Sequence, residues 1–507
     1  MGIIPVNPSL ATSASPSALD RVERLAFEIA RDHPEILLPA PFRGLEVEQF
    51  PPGCTIHLDD LSAIALREPT SDLYLQERAR LRAGHGDLVV AATPQVPGFE
   101  PYARHQLGLG EAEWFHVACD SPLRAVQLAR TCREDRTARH RLTSLVRQSE
   151  LTYLHPHMGT PSVWALASVL RRAAHRDVRV VAPPPGLCQW VNDKLAFAET
   201  VGRLFGRRWR PTTNAAANFA TLAGQVATLA RETRTLVIKR PVSAGGEGNL
   251  VLEAAPFRRL SLRAVRRELV RKLAWLNWSD REPLLIGTWE TDVLSSPSVQ
   301  TWIPPADAGP PVVEGIFDQI LSGQEGVFLG CTQAELSPPL MRTAAQRGWL
   351  LALLFQKLGY VGRCSFDLLV LGTRMANARL EFIECNGRWG GTSGPMTLLT
   401  RLFGHWASRP FAAFECPVPP QSTGWCFDAL TQQLGAELYD ARSGRGNLIL
   451  FNPGRLRARS ELQFIALGET WSEAVRRARE TVPDLLHGIL GEPPADSEAA
   501  RELGTAG

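Results

Sequence analysis

The chain has 507 residues, of which 44% are hydrophobic and 21% charged, with a formal net charge of +3. That length exceeds what one core organises and implies about two to four domains. Near-neutrality argues against holding nucleic acid by phosphate neutralisation, which calls for a basic stripe or domain. No apolar run reaches the roughly 18 residues of a membrane span. The N-terminus lacks a basic region followed by an apolar core, and Val6 stands where a myristoylation site needs Ser or Thr. Nine dispersed cysteines without a CxxC imply free thiols in a reducing compartment, so a cytoplasmic location is expected.

In chain order, residues 1–20 are rich in Ser, Ala and Pro and read as a disordered tail. Over 21–185, DLVVAAT (87–93), EWFHVAC (113–119), LTYLHP (151–156) and VRVVAP (178–183) read as strands. SPLRAVQLARTC and PSVWALASVLRRAAHR read as helices, the second capped by Thr160 with Pro161 in its first turn. Strands alternating with helices predict a small α/β layer on a parallel sheet. APPPG (182–186) reads as a linker, and QWVNDKLAFAETVGRLFG (189–206) as one long amphipathic helix. A second α/β domain, 186–420, carries strands near 235–240, 249–253, 283–288, 326–331, 364–371 and 379–385. Residues 421–490 mix helical and strand patterns as a small α+β domain, and 491–507 read as a loose end.

Only four of the 55 basic Lys and Arg side chains are lysines, at 194, 239, 272 and 357. One of them, Lys239, ends an apolar strand in LVIKRPVSAGGEGNLVL, just before a glycine-rich loop. Gly245, Gly246 and Gly248 leave backbone N–H groups open to an anion, and Lys239 can set a compact charge against a phosphate. An isolated glycine hairpin is more often simply a turn. The loop joins strand to strand and has no GxxxxGK[ST], so it is not a Walker loop, and GLGEAE (108–113) fails as a dinucleotide fingerprint.

CSFDLLVLGTRMANARLEFIECNGRWGGTSGP (364–395) carries more chemistry. Asp367 lies in an apolar run, where a carboxylate is costly without a partner. Glu384 and Asn386 share one strand face by alternation, so two neighbouring strands can present Asp367, Glu384 and Asn386 to one point. Two carboxylates and an amide oxygen suit Mg²⁺ shared with phosphates, and Arg388 remains on that side. Surface ion pairs would explain either carboxylate alone but fit this alternation poorly.

Lys194 in NDK, Lys239 before the glycine loop, Asp367 and the E-x-N-x-R run Glu384, Asn386, Arg388 together resemble the ATP-grasp ligases over roughly 190–405. The run GYVGRCSFDLLV…EFIECNGRWGGTSGPMTLL is similar to the pheganomycin-type peptide ligases, a branch of that superfamily. The resemblance implies an ATP-grasp fold with an N-terminal pre-ATP-grasp domain and a small C-terminal domain. It implies ATP contacts at Lys194, Lys239, Ser243, Gly245, Gly246, Gly248 and Glu290, and a Mg²⁺ or Mn²⁺ site at Asp367, Glu384 and Asn386. Arg388 and Lys239 would be the catalytic side chains, and Gly390, Gly391, Thr392 and Ser393 would hold an acyl phosphate. The implied reaction joins an amino acid or other carboxylate to a peptide or amine, releasing ADP and phosphate, and the Arg- and Ala-rich, Lys-poor composition fits a GC-rich bacterial genome, where such enzymes often make specialised metabolites. No nucleic acid or membrane partner is implied, and the sequence leaves the oligomeric state open, a homodimer being one common assembly. The alternative is a degenerate grasp that binds nucleotide without turnover, for regulation or assembly.

Three features are set aside. His155 and His157 stand at strand spacing but show no further ligands for structural zinc, which takes four. The arginines of FRRLSLRAVRRELVRKLAWL read as the solvated face of an amphipathic helix. Cys364 and Cys385 read as packing thiols, and Lys272 and Lys357 as ordinary surface residues.

Overall fold

The structure, a computed structural model, describes residues 14–64, 72–241, 249–274, 278, 283–323 and 326–491. Its first sheet holds β1 (Cys54–Leu58), β2 (Leu88–Ala91), β3 (Glu113–His116), β4 (Leu151–Pro156) and β5 (Asp177–Val180) in the order β3-β2-β1-β4-β5. Every pairing in it is parallel. All four residues of β2 are buried, as a strand covered on both faces requires. The helix Pro161–Ala174 opens on Thr160, whose hydroxyl accepts from the Val163 N–H at 3.4 Å, and it packs Trp164, Leu166 and Leu170 into this core.

A second, antiparallel sheet contains β6 (Thr213–Ala216), β7 (Thr235–Lys239), β8 (Asn249–Glu253) and β9 (Leu284–Thr288), ordered β6-β9-β7-β8. Helices Phe219–Glu232 and Leu262–Lys272 cover it, burying Leu222, Val226, Val265 and Leu269.

The third sheet is the largest and is antiparallel throughout. It comprises β10 (Val293–Ser295), β11 (Pro297–Ile303), β12 (Val312–Ser322), β13 (Val327–Gln333), β14 (Gly362–Leu371), β15 (Arg379–Asn386), β16 (Phe411–Pro417), β17 (Leu448–Phe451) and β18 (Glu461–Leu467). The 20-residue helix Pro338–Lys357 lies on it, with Phe355 against Phe366 at 5.8 Å between ring centres. No helix among the described residues is long and apolar enough to cross a membrane.

Three expectations change. The tail read at 1–20 gives way at Pro16 to the helix Pro16–Asp32, because Val22, Leu25, Ala26 and Ile29 recur on one face. That helix buries this face in the core under the third sheet, not in the first layer, although the sequence assigned 21–185 to one domain. Residues 421–490 do not form a separate sheet either. β17 and β18 pair onward from β16, and Phe464, Ile465 and Leu467 share one core with Phe411 and Leu399.

Candidate active site

The expected single helix over 189–206 is interrupted. One helix ends at Asn192, Asp193 is extended, and a new helix runs Lys194–Phe205. Asp193 causes the restart by accepting from the N–H groups of Leu195 at 2.8 Å and Ala196 at 2.9 Å, which satisfies donors a helix start leaves open. The break puts Asn192 and Lys194 beside β15. Lys194 Nζ lies 3.1 Å from Glu384 Oε2. Asn192 Oδ1 accepts from the Gly387 N–H at 3.1 Å and from the Arg388 guanidinium, while its Nδ2 donates to the Cys188 carbonyl at 2.7 Å. Gly387 is required for this approach, since a Cβ there would stand 2.4 Å from Val191 Cγ2.

On β14, Cys364, Phe366, Leu368 and Val370 enter the core, so Ser365, Asp367 and Leu369 take the opposite face and line a cleft. Strict alternation on β15 would place Glu384 beside Leu380 and Phe382, which are core residues. A bulge resolves the conflict. Asp367 pairs with Glu384 but Leu368 pairs with Phe382, leaving Ile383 extra and reversing the phase, so Cys385 turns inward and Glu384 and Asn386 face the cleft. The sequence-predicted trio therefore converges. Ser298 on β11 donates to Asp367 Oδ1 at 2.6 Å, and Asn386 Nδ2 donates to Asp367 Oδ2 at 2.9 Å, which leaves the Asn386 carbonyl oxygen available.

Two carboxylates opposed on adjacent strands repel, and their surroundings divide the cost. Burial, with Glu384 opposite, pushes the Asp367 carboxyl up to about 7. Burial also pushes Glu384 upward, but Lys194, Arg388 and Lys239 outweigh it and hold that carboxylate below its ordinary value. Lys239 answers from the far wall: burial, with Lys194 nearby, draws its ammonium down to about 8. A divalent cation between Asp367, Glu384 and the Asn386 oxygen would relieve this repulsion, so the donor set fits one.

The cleft holds about 840 Å³ and is lined from all three sheets, by Lys239 and Thr288 of the second, Asp367 and Glu384 of the third, and His157 beyond β4 of the first. Lys194, Glu290, Arg388, Gly390, Gly391 and Thr392 line it too. Glu290 follows β9 and lies 3.7 Å from Arg379. Ser393 departs from expectation: it is fully buried, and its hydroxyl donates to Gln300 at 3.0 Å and accepts from the Gly390 N–H at 3.1 Å. It shapes the loop and does not face the cleft. Ser243, Gly245, Gly246 and Gly248 lie outside the described residues. Sequence reasoning missed Asn192, Ser298 and Gln300. Asn192 stands beside the noted NDK lysine, but β11 gave no usable signal because its seven residues mix Pro, Ser, Gln and Trp and are all buried. The four lysines divide as expected: Lys272 and Lys357 sit in surface pairs with Glu268 and Glu23 at 3.6 and 3.0 Å. The thiols of Cys364 and Cys385 are buried, 3.4 Å apart.

No family model matches the chain, and no curated protein matches it. Solved structures do. An ADP complex of N5-carboxyaminoimidazole ribonucleotide synthetase (purK) is 13% identical with a TM-score of 0.51, over 86% of this chain and 97% of that one. The corresponding synthase from Aspergillus clavatus, with ADP and 5-aminoimidazole ribonucleotide, is 12% identical over 86% and 98% of the two chains, TM-score 0.49. Biotin carboxylase from Campylobacter jejuni is 12% identical over 87% and 96%, TM-score 0.49. At such identities the likeness concerns fold, and the fold is that of an ATP-grasp protein: a three-sheet α/β chain with a parallel layer ahead of the grasp.

Proposed function

We propose that this chain is an ATP-dependent carboxylate–amine ligase. The observation that supports it most is the meeting of Lys194, Lys239, Asp367, Glu384, Asn386 and Arg388 in one cleft, on walls of opposite charge. On this reading the triphosphate lies between β7 and the β14–β15 pair. Lys239 and Lys194 neutralise its oxygens, and Asp367, Glu384 and Asn386 would hold the magnesium that shields them. A substrate carboxylate oxygen bonds to the γ-phosphorus as the bridging bond to ADP breaks. The amine nitrogen then bonds to the acyl carbon, inorganic phosphate leaves, and the amine gives up a proton. Such transfer depends on positioning and charge neutralisation rather than a protein nucleophile. Arg388, oriented by Asn192, faces the transferred phosphoryl, and the backbone of Gly390–Thr392 lies beside it.

The finer reading is a peptide ligase that joins an amino acid or similar acid to a peptide or amine. Incubation with ATP, Mg²⁺ and a pool of amino acids and peptides should release ADP, with a condensed product seen by mass spectrometry. AMP as product would replace this mechanism with adenylation, and nucleotide binding without any turnover would leave only a binding protein.

A further inference from the structure

Beyond Arg388 the cleft continues to a second end, formed by the 3-10 segment Leu73–Leu81 and by β16, β18 and the helix Gly454–Arg459. This end is rich in charge, and two of its three guanidiniums are already answered. Arg455 bonds to Glu415 at 2.8 Å and to Glu461, and Arg459 bonds to Asp72 at 2.6 Å. Arg78 differs. It lines the cleft, yet no described residue stands within ion-pair or hydrogen-bond distance of its guanidinium, on which Glu415, Asp59 and Asp72 act from farther away. Burial draws that guanidinium down to about 10 despite those carboxylates, and a carboxylate in direct contact would offset part of the cost of holding it there. A second group points the same way. His157 is 5% exposed and lines the same cleft, and its Nδ1 has no hydrogen-bond partner. Burial keeps its imidazole neutral, with Asp59 acting to raise its pKa and Arg388, Arg78 and Arg82 to lower it.

We propose that Arg78 and His157 form a carboxylate-binding subsite for the amine-bearing substrate, so that the acceptor is an amino acid or short peptide with a free C-terminal carboxylate. The inference rests on the reading of the cleft as the seat of ATP-dependent ligation. A planar guanidinium matches a carboxylate with two parallel hydrogen bonds, and the neutral imidazole supplies a third donor. Placing that carboxylate on the far side of His157 from Arg388 keeps it away from the reacting phosphoryl. Leu75 and Phe451 give the acceptor an apolar surface. Amino acids and short peptides with a free carboxylate and apolar side chains fit both features.

The test uses the full chain loaded with MgADP. Free amino acids and alanyl dipeptides are titrated calorimetrically against the same compounds as C-terminal amides. The wild type should bind at least one free acid about tenfold or more tightly than its amide, as loss of a charge-assisted pair predicts. Arg78→Gln should bring that ratio near unity while still binding MgADP, and Arg78→Lys should restore part of it. No preference for any free acid in the wild type, or a preference that survives Arg78→Gln, overturns the subsite. Failure of the wild type to bind MgADP would instead overturn the ligase reading itself.

Discussion

On the wall made by β14 and β15, polar side chains are held by neighbours: Asp367 by Ser298 and Asn386, Glu384 by Lys194, and Arg388 by Asn192. Behind them stands a nine-stranded sheet backed by a 20-residue helix. Across the cleft, Lys239 ends an edgeward hairpin of a four-stranded sheet, half-buried, with the Trp289 ring 5.4 Å beneath it. The acidic wall is built to hold its charges in fixed positions, whereas the basic wall offers one ammonium on a thin support. On the proposed reading, the triphosphate and its cation are what join the two.

Removing one charge from either wall should have the largest effect. Glu384→Gln and Lys239→Ala should each lower the rate of ADP formation by roughly a hundredfold to a thousandfold, the range for losing one preorganised electrostatic contact. Circular dichroism should show the fold retained. ADP release at the wild-type rate from either variant would remove the walls from the mechanism.

Next comes the support of the acidic wall. Asn192→Ala strips partners from Gly387 and Arg388 and should cost about 1–3 kcal/mol in denaturant unfolding, the range for buried groups left unsatisfied. It should also lower kcat more than it raises KM, because Arg388 would be present but misplaced.

The third prediction sets stability against activity within that wall. The Asp367 carboxyl titrates at about 7 in the folded chain against an ordinary 3.8, so the folded state keeps a proton that the unfolded chain has released. Stability of the metal-free protein should therefore fall as pH rises from about 4 through 7. Asp367→Asn should flatten that slope and stabilise the metal-free chain at pH 8 by up to about 4 kcal/mol, while abolishing turnover. Added Mg²⁺ should stabilise the wild type and not the variant. A thermal melt at two pH values, with and without Mg²⁺, reads all three.

The smallest effect belongs to lysines on neither wall. Lys272→Ala and Lys357→Ala break exposed pairs and should change stability by less than about 1 kcal/mol, with turnover unchanged.

Much of the acidic wall was legible because its information is local. Asp367, Glu384, Asn386 and Arg388 lie within 22 consecutive residues on two adjoining strands, and the E-x-N-x-R spacing survives whatever surrounds it. Four of the five strands of the first sheet were legible from their short apolar runs, but the central β1, CTIHL, was missed because Thr55 and His57 interrupt its apolar pattern. By contrast, β11 has no periodicity, and Ser298 and Gln300 reach the site only because β11 pairs with β14 some 70 positions away in the chain. Ser393 was read as facing the cleft because it stands in a glycine-rich run, yet its hydroxyl is enclosed by Gln300.

What the amino-acid order determined alone was the identity and order of the charged groups, the alternation that puts Glu384 and Asn386 on one face, and the lysine economy that marks positions 194 and 239. Only the tertiary structure decided the bulge at Ile383 that frees Glu384 from the core, the helix break that aims Asn192 and Lys194, and the enrolment of β17 and β18 into the large sheet. The reason is physical. Alternation and composition act within a few residues, whereas a bulge, a cap turned toward a partner and a sheet's outer strands are settled by what the rest of the chain brings against them.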